Sequence, residues 1–437
     1  MTTSTHSELE LDAIRICQEL IRIPSVNFGD GKGDEKDVAE YVVKQLAEVG
    51  IESKIYESAP GRCNVIARIK GSNSNRPGLV VHGHLDVVPA NAADWSVDPF
   101  SAEMKDGYIW GRGAVDMKNM DAMILATVRS WARSGYVPDR DIVLAFFADE
   151  EAGSIYGSHY MVKNHPEVFA GCTEAVSEVG GFSVTVAGGK RLYLIETAEK
   201  GIHWMKLTAH GRAGHGSVMN DENALTRLTD AVAKIGNYTW PQRYSKTVKA
   251  FFKRVADETG KPYNEADLQP LLEEVGFAAR MIGATLQNTA NPTMLEAGYK
   301  ANVIPGSASA VIDGRFIPGF EDELNSTIKT LIGEHITVET ITRDKALEVP
   351  FEGDLVEAMC NALIKEDAVA IPVPYVMSGG TDNKALADLG IIGYGFSPLK
   401  LDADFDFMAM FHGVDERVPV EGLVFGARVL KDFLENA

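Results

Sequence analysis

Histidines and carboxylates recur in this sequence where apolar runs end, which is where an open sheet presents side chains to a ligand. His82-Gly83-His84-Leu85-Asp86-Val87-Val88-Pro89 follows the apolar run Gly78 to Val81, which reads as a buried strand stopping at the histidines. A neutral imidazole at His84 suits a metal ion, and Asp86 two residues on suits fixing its tautomer. The same pair serves equally as a plain hydrogen-bonded couple. Trp110-Gly111-Arg112-Gly113-Ala114-Val115-Asp116-Met117-Lys118 delivers Asp116 from a tight glycine turn just ahead of a predicted helix, Asn119 to Arg133, and its alternative role is a helix N-cap. Ile142 to Ala148 reads as a buried central strand ending in Asp149-Glu150-Glu151-Ala152-Gly153. Three adjacent carboxylates repel one another unless a cation is present. A metal that takes one glutamate and leaves its neighbour free as a base resolves the conflict; a solvated, helix-capping loop is the alternative. Thr173 to Ser177 leads to Glu178, with Glu174 as its competitor if the register differs, and Phe411-His412-Gly413-Val414-Asp415-Glu416 supplies a second histidine.

Taken together, His84, Asp116, Glu151, Glu178 and His412 are two imidazoles and three carboxylates. That mix suits zinc, with manganese or cobalt as substitutes, and five protein ligands suggest two ions sharing a bridging group. Glu150 is then the expected general base.

The elements that must position these residues alternate helix and apolar strand. Ser7-Glu8-Leu9-Glu10 is a capping-box pattern opening a helix that stops at Pro24. After a glycine-rich loop, Asp34 is expected to cap a second helix closed by Gly50, and strands are predicted at Asn64 to Ile69 and Gly78 to His82. From Ala198 the character changes. Strands at Gly201 to Ala209, Thr293 to Val303, Ala308 to Ile317 and His335 to Ile341, with helices at Asn223 to Ile235 and Glu321 to Ile332, give a ferredoxin-like unit. It includes a mixed stretch, Tyr238 to Pro292, with a helical pattern around Glu265 to Arg280. The pattern then resumes with a helix at Asp354 to Glu366, a Ser378-Gly379-Gly380-Thr381-Asp382-Asn383 loop, a strand at Ile391 to Phe396 and a closing amphipathic helix. The prediction is an α/β catalytic domain with a mixed central sheet, residues 1–197 and 344–437, interrupted by an α+β lid or dimerisation domain, residues 198–343.

A chain of 437 residues suits two domains rather than one core. A formal charge of -20, with 62 acidic against 42 basic residues, argues against a nucleic-acid surface. Cys17, Cys63, Cys172 and Cys360 have no metal or redox spacing and are expected to be reduced. Met1 to Ser7 is polar and no apolar run reaches membrane-spanning length, so a cytoplasmic location without membrane contact is the expectation.

The ordered set His-Gly-His-Leu-Asp-Val-Val-Pro, Gly-Arg-Gly-Ala-Val-Asp-Met-Lys, Asp-Glu-Glu-Ala-Gly, Gly-His-Gly-Ser, Asn-Val-Ile-Pro and His-Gly-Val-Asp-Glu resembles the M20 metallopeptidase family over nearly the whole chain. That family contains aminoacylases, glutamate carboxypeptidases, acetylornithine deacetylases and succinyl-diaminopimelate desuccinylases. The resemblance implies that His84 and Glu178 hold one zinc, that Glu151 and His412 hold the other, and that Asp116 bridges them with a cis peptide to Met117. It further implies that Asp86 orients His84 and that Glu150 moves the proton from a metal-bridging water to the leaving nitrogen. His215 would reach the partner subunit's site in a homodimer and steady the oxyanion, while Asn302, Arg315 and the Gly379-Gly380-Thr381 loop would bind the substrate's free carboxylate. Ser177-Glu178-Val179-Gly180-Gly181 lacks the Glu-Pro form of the desuccinylases and is nearer the aminoacylase pattern. The expected activity is a two-zinc deacylase of N-acyl amino acids. A dipeptidase or carboxypeptidase of the same family is the alternative, and a non-catalytic metal- or peptide-binding protein is the alternative from another class. His82 is expected to be a hydrogen-bonded strand histidine rather than a ligand.

Overall fold

The structure, a computed structural model, describes residues 6–29 and 31–437. Of the polar segment Met1 to Ser7, residues 1–5 lie outside the described residues, as does Asp30 of the glycine-rich loop.

A ten-stranded mixed sheet forms the larger part. Its order begins Ser53–Ala59, Arg62–Ile69, Ile142–Phe147, Gly78–His84, Cys172–Ser177, Ile392–Gly395 and Arg191–Glu199. Gly78–His84 runs parallel to both Ile142–Phe147 and Cys172–Ser177, and Ile392–Gly395 is parallel to the latter. Four neighbouring strands therefore end on the same edge. Ile142–Phe147 shows why its sequence lacks alternation: Ile142, Leu144 and Phe146 enter one core while Val143, Ala145 and Phe147 enter the other, so both faces are apolar. Helices Glu8–Ile21, Lys118–Ser134 and Val420–Asn436 pack together over the first face. The expected capping box starts the first of them, with the Ser7 amide donating to Glu10 Oε2 at 2.6 Å.

A separate four-stranded antiparallel sheet has the order Thr289–Ala297, Ser307–Phe316, Gly201–His210, Ile336–Asp344. With helices Ala224–Gly236 and Glu321–Ile332 packed on one face, this is the expected ferredoxin-like arrangement. Gly201–His210 alternates strictly: Met205, Leu207 and Ala209 face the helices, while Trp204, Lys206 and His210 are exposed.

Several local expectations need correction. The stretch predicted as one helix over Glu265 to Arg280 is broken into short turns, Gln269–Leu272, Glu273–Ala278 and Ala279–Gly283, because Gly276 adopts φ +54°. The long helix of this stretch is Lys246–Thr259, capped by Ser245 Oγ and closed by Gly260 at φ +71°. Val248, Phe251, Phe252 and Val255 on its apolar face, followed by Leu271 and Met281, join the core of the large sheet rather than that of the small one. Strand Ala370–Met377 is not expected from the sequence, since Pro372 and Pro374 interrupt its pattern; among the described residues it pairs only with Arg191–Glu199, and an edge place tolerates proline. The second helix begins one residue later than expected, with Glu35 at the N-cap position and Asp34 Oδ1 accepting from the Lys36 amide. The four cysteines are free thiols. Among the described residues, no helix is long and apolar enough to cross a membrane.

Candidate metal centre and cavity

The shared sheet edge brings the acids together. Gly78–His84 ends on His84 itself, Ile142–Phe147 is followed by Glu150 and Glu151, and Cys172–Ser177 by Glu178. Each acid is turned inward by a neighbour in the left-handed region, Asp149 at φ +69° and Val179 at φ +56°, and His412 itself sits at φ +57°. A β-branched residue there costs about 1–2 kcal/mol, which the surrounding packing must offset. The Asp116–Met117 peptide is cis.

Asp116 stands between two trios. Its Oδ1 lies 3.0 Å from His84 Nε2, and its Oδ2 lies 3.2 Å from His412 Nε2. His84 Nε2 is 3.6 Å from Glu178 Oε2, and His412 Nε2 is 3.0 Å from Glu151 Oε2. In each trio, His84 with Asp116 and Glu178, and Asp116 with Glu151 and His412, one donor atom per residue lies within 4.8 Å of the others. Glu150 Oε2 is 3.9 Å from His84 Nε2 and belongs to neither trio.

Among the described residues, the only cationic side chains within 4.0 Å of Asp116, Glu150, Glu151 and Glu178 are the two histidines. Burial raises Glu178 to about 7 and drives Glu150 well above the ordinary carboxyl range, with the Glu178 charge adding to the effect. Burial also opposes the Asp116 charge, yet hydrogen bonds from His412 and His84 hold its carboxyl far down. Hydrogen bonds to Asp116 and Glu151 raise His412 to about 10. Glu151 Oε1 is buried without any hydrogen-bond partner. Crowded carboxylates, two imidazoles on one bridging acid and an orphaned oxygen form a donor set that fits divalent metal ions.

Supporting contacts hold this floor in place. His84 Nδ1 faces the Asp86 carbonyl at 3.0 Å, closer than the Asp86 carboxylate at 3.5 Å. The carboxylate instead accepts the Glu150 and Glu151 amides at 3.1 and 3.2 Å and the Asn27 side-chain amide at 2.9 Å. Asp86 thus aligns His84 and both glutamates at once. Glu416, which closes the His-Gly-Val-Asp-Glu motif, acts on the glycine turn. Its carboxylate accepts from Arg112 Nη1 at 2.7 Å and from the amides of Gly113, Val115 and Asp116 at 3.0, 2.8 and 3.3 Å. It thereby clamps the glycine turn to the His412 loop. No local pattern announces this, because the partners are some 300 residues apart. His82 is fully buried, held by Asn383 Oδ1 at 2.9 Å, and lowered by burial to about 4.

A cavity of about 350 Å³ opens over the centre. Its polar lining includes Asp116, Glu150, Glu151, Glu178, His412 and Arg315, and its apolar wall is Ile202, Trp204, Met281, Met377, Met408 and Phe411. Gly379, Gly380 and Thr381 also line it. Thr381, however, directs its hydroxyl and amide to Glu199 at 2.6 and 3.0 Å. Arg315 is paired with Asp313 at 2.6 Å and lies over Trp204. Two expected residues are not brought to the site. His215 and Asn302 are exposed, sit together on the short pairing Gly214–His215 with Val303–Ile304, and do not line the cavity within this chain. The nearest side-chain partner of His215 is Ser217 Oγ at 2.8 Å.

Comparison with known proteins agrees with this architecture. The profile of peptidase family M20/M25/M40 matches residues 80–436. The chain is 27% identical to the N-fatty-acyl-amino acid synthase/hydrolase of Xenopus tropicalis, over 95% of this chain and 84% of that protein. It is 26% identical to aminoacylase-1 of Homo sapiens, over 95% and 93%. The M20 family metallo-carboxypeptidase Sso-CP2 from Sulfolobus solfataricus superposes with a TM-score of 0.74 at 17% identity, covering 97% of this chain and 99% of that one. Its carboxylate-rich sheet edge, its two-unit fold and these matches together mean that the chain belongs to peptidase family M20/M25/M40 and is a hydrolase of amide or peptide bonds.

Proposed function

We propose that the protein is a two-zinc deacylase that removes apolar acyl groups from N-acyl amino acids carrying a free carboxylate. One observation carries this reading: a single cavity holds the acid-histidine centre, a guanidinium at Arg315 and an apolar wall of Ile202, Trp204, Met281, Met377, Met408 and Phe411. An amide flanked by a carboxylate on one side and an apolar chain on the other matches those three surfaces. Three methionines among the wall residues suit acyl chains of differing shape, because the thioether side chain repacks easily. The named activities of the Xenopus tropicalis and Homo sapiens relatives, on N-fatty-acyl amino acids and as an aminoacylase, support the same reading.

His84, Asp116 and Glu178 would hold one ion, and Asp116, Glu151 and His412 the other. The chemistry a bound pair supplies is polarisation of the scissile carbonyl and acidification of water. Glu150, outside both trios, takes the water's proton and passes it to the leaving nitrogen. Its burial makes it a stronger base than an exposed carboxylate and so assists the first of these transfers. Arg315 anchors the substrate carboxylate, for which its planar fork is suited, after exchanging its contact with Asp313. His215 serves as an oxyanion donor to the site of a second copy. The exposed Val218 and Met219 beside it, and Tyr299 beside Asn302, support an apolar contact there.

The test is amine release from N-acetyl, medium-chain and long-chain N-acyl amino acids and from dipeptides, using zinc-loaded protein. The deacylase reading expects preference for the longer acyl chains and loss of turnover when the substrate carboxylate is amidated. Faster hydrolysis of dipeptides would favour the dipeptidase alternative instead.

A further inference from the structure

Strands run directly from one sheet to the other at two places, and these two crossings lie side by side. On the large sheet, Glu199 pairs with Leu347; on the small sheet, Ile202 pairs with Asp344. Between those register pairs lie Lys200 and Gly201 on the outgoing strand and Lys345 and Ala346 on the returning one. The neck is narrow: a side chain at Gly201 would come within 2.0 Å of the Phe316 ring.

Lys384, whose side chain belongs to the cavity wall beside the Gly379-Gly380-Thr381 loop, reaches into this neck. It is 2% exposed, and its ammonium donates to the Lys200 carbonyl at 2.6 Å and the Lys345 carbonyl at 2.7 Å. One side chain thus takes one acceptor from each crossing. Glu199 Oε2, 3.7 Å from the ammonium, supplies the neutralising charge and accepts the Thr381 amide. The Lys384 stem also runs under the Gly379-Gly380-Thr381 loop so closely that a Cβ on Gly380 would approach its Cε to 2.4 Å. Carbonyls of both crossings and the cavity loop therefore meet at a single buried cation. A buried charge held by oriented acceptors is rigid, because leaving any of its partners unmatched is costly.

We propose that Lys384 is a positioning residue that fixes the small sheet, and with it Arg315 and Trp204, relative to the Gly379-Gly380-Thr381 loop. The inference rests on reading this cavity as the substrate site. Lys384 is given no contact with a reacting atom; it sets the distance between the small sheet, which carries Arg315 and Trp204, and the Gly379-Gly380-Thr381 loop. The ladder pairs the two crossings on either side of the neck, and between those pairs their carbonyls turn to Lys384. Bonding both locks the neck as a two-strand ribbon.

The test compares Lys384→Met with Glu199→Gln and the parent protein by hydrogen-deuterium exchange, metal content and kinetics. Lys384→Met is expected to speed amide exchange at least tenfold in residues 198–202, 343–347 and 379–384 together. Exchange in Ile142–Phe147 and metal content should be unchanged. Glu199→Gln, which keeps an acceptor for Thr381 and leaves both carbonyl contacts, should speed exchange in the crossings less than threefold. With N-acyl amino acids, Lys384→Met should raise KM about tenfold or more and lower kcat by less than threefold. The exchange result stands even if no acyl amino acid is hydrolysed by the parent, so a wrong substrate reading is distinguishable from a wrong role for Lys384. Unchanged exchange at the crossings would overturn the proposal, as would a rise spread evenly over the whole chain. If Lys384→Met does not fold, the double variant Lys384→Met with Glu199→Gln, which removes both buried charges, carries the same expectations.

Discussion

On the floor of the cavity the side chains of Asp116, Glu150, Glu151 and Glu178 are 5% to 16% exposed, and Asp86 and Glu416 hold the first three through their backbone amides. Across from them, the small sheet offers Arg315 in a half-buried ion pair, and His215 and Asn302 stand in the open at the separate pairing Gly214–His215 with Val303–Ile304. The floor is assembled within one chain by parallel strands that share an edge. The small sheet turns the face opposite its helices partly to the cavity and partly to solvent. Rigid groups that must hold charge close together are therefore on the sheet that is buried on both sides, and groups that meet the substrate or a second copy are on or beside the sheet that is buried on one.

The sharpest way to break this contrast is at Glu150. Glu150→Gln should lower kcat by about 10²–10⁴-fold, the usual worth of a general base, with metal content unchanged by elemental analysis. Near-parent turnover would remove Glu150 from the mechanism. The small unit's counterpart is His215→Ala, expected to cost about 10²–10³-fold in kcat if it supplies an oxyanion donor. Mixing inactive Glu150→Gln and His215→Ala proteins under conditions of subunit exchange should restore roughly a quarter of parent activity, because a mixed dimer has one site built from two intact halves. No recovery would mean that the two regions do not complete each other across a dimer. Arg315→Met should raise KM by roughly 10- to 100-fold, the loss of a charged hydrogen bond, with a smaller change in kcat. An equally low residual kcat/KM for a carboxyl-amidated substrate in parent and variant would show the arginine meeting that carboxylate.

The smallest effect tests the large sheet away from the site. Burial opposes the charge on Asp367, but hydrogen bonds from Arg191 and Tyr193 hold its carboxyl at about 2. A depressed carboxyl contributes stability above its unfolded value near 4, and that contribution is lost as pH falls from about 4 to about 2. Discounted for solvent screening, its size is on the order of 1 kcal/mol. Asp367→Asn should lower the urea midpoint at pH 6, and the gap between variant and parent should shrink at pH 3. A gap that stays constant with pH would assign the loss to packing instead.

Much of the floor was legible in the sequence because its signals are local. An apolar run followed at once by His84, by Glu150 and Glu151, or by Glu178 already implies a strand end, and strand ends of a parallel sheet converge. Long-range polar contacts left no such mark. Nothing around Glu416 announces that it caps the Gly113 turn, and nothing around Lys384 announces the Lys200 and Lys345 carbonyls. Ala370–Met377 was hidden by two prolines that an edge strand accommodates. Helix Lys246–Thr259 was missed inside a stretch assigned by position to the small unit, although its apolar face belongs to the large core. Periodicity tells that a face is apolar but not which core it enters.

The clamp between Glu416 and the Gly113 turn has a consequence for how the protein is made. When Glu178 leaves the ribosome, the segment bearing His412 and Glu416 has not been synthesised, and more than two hundred further residues must follow. At roughly 5–20 residues per second, that is a delay of about 10–50 seconds. Throughout it the amides of Gly113 and Val115 have no acceptor from Glu416, and Asp116 has only one of its two imidazoles. The nascent chain thus carries its acids without the means to arrange them, and the centre is completed as a late event of translation rather than an early one.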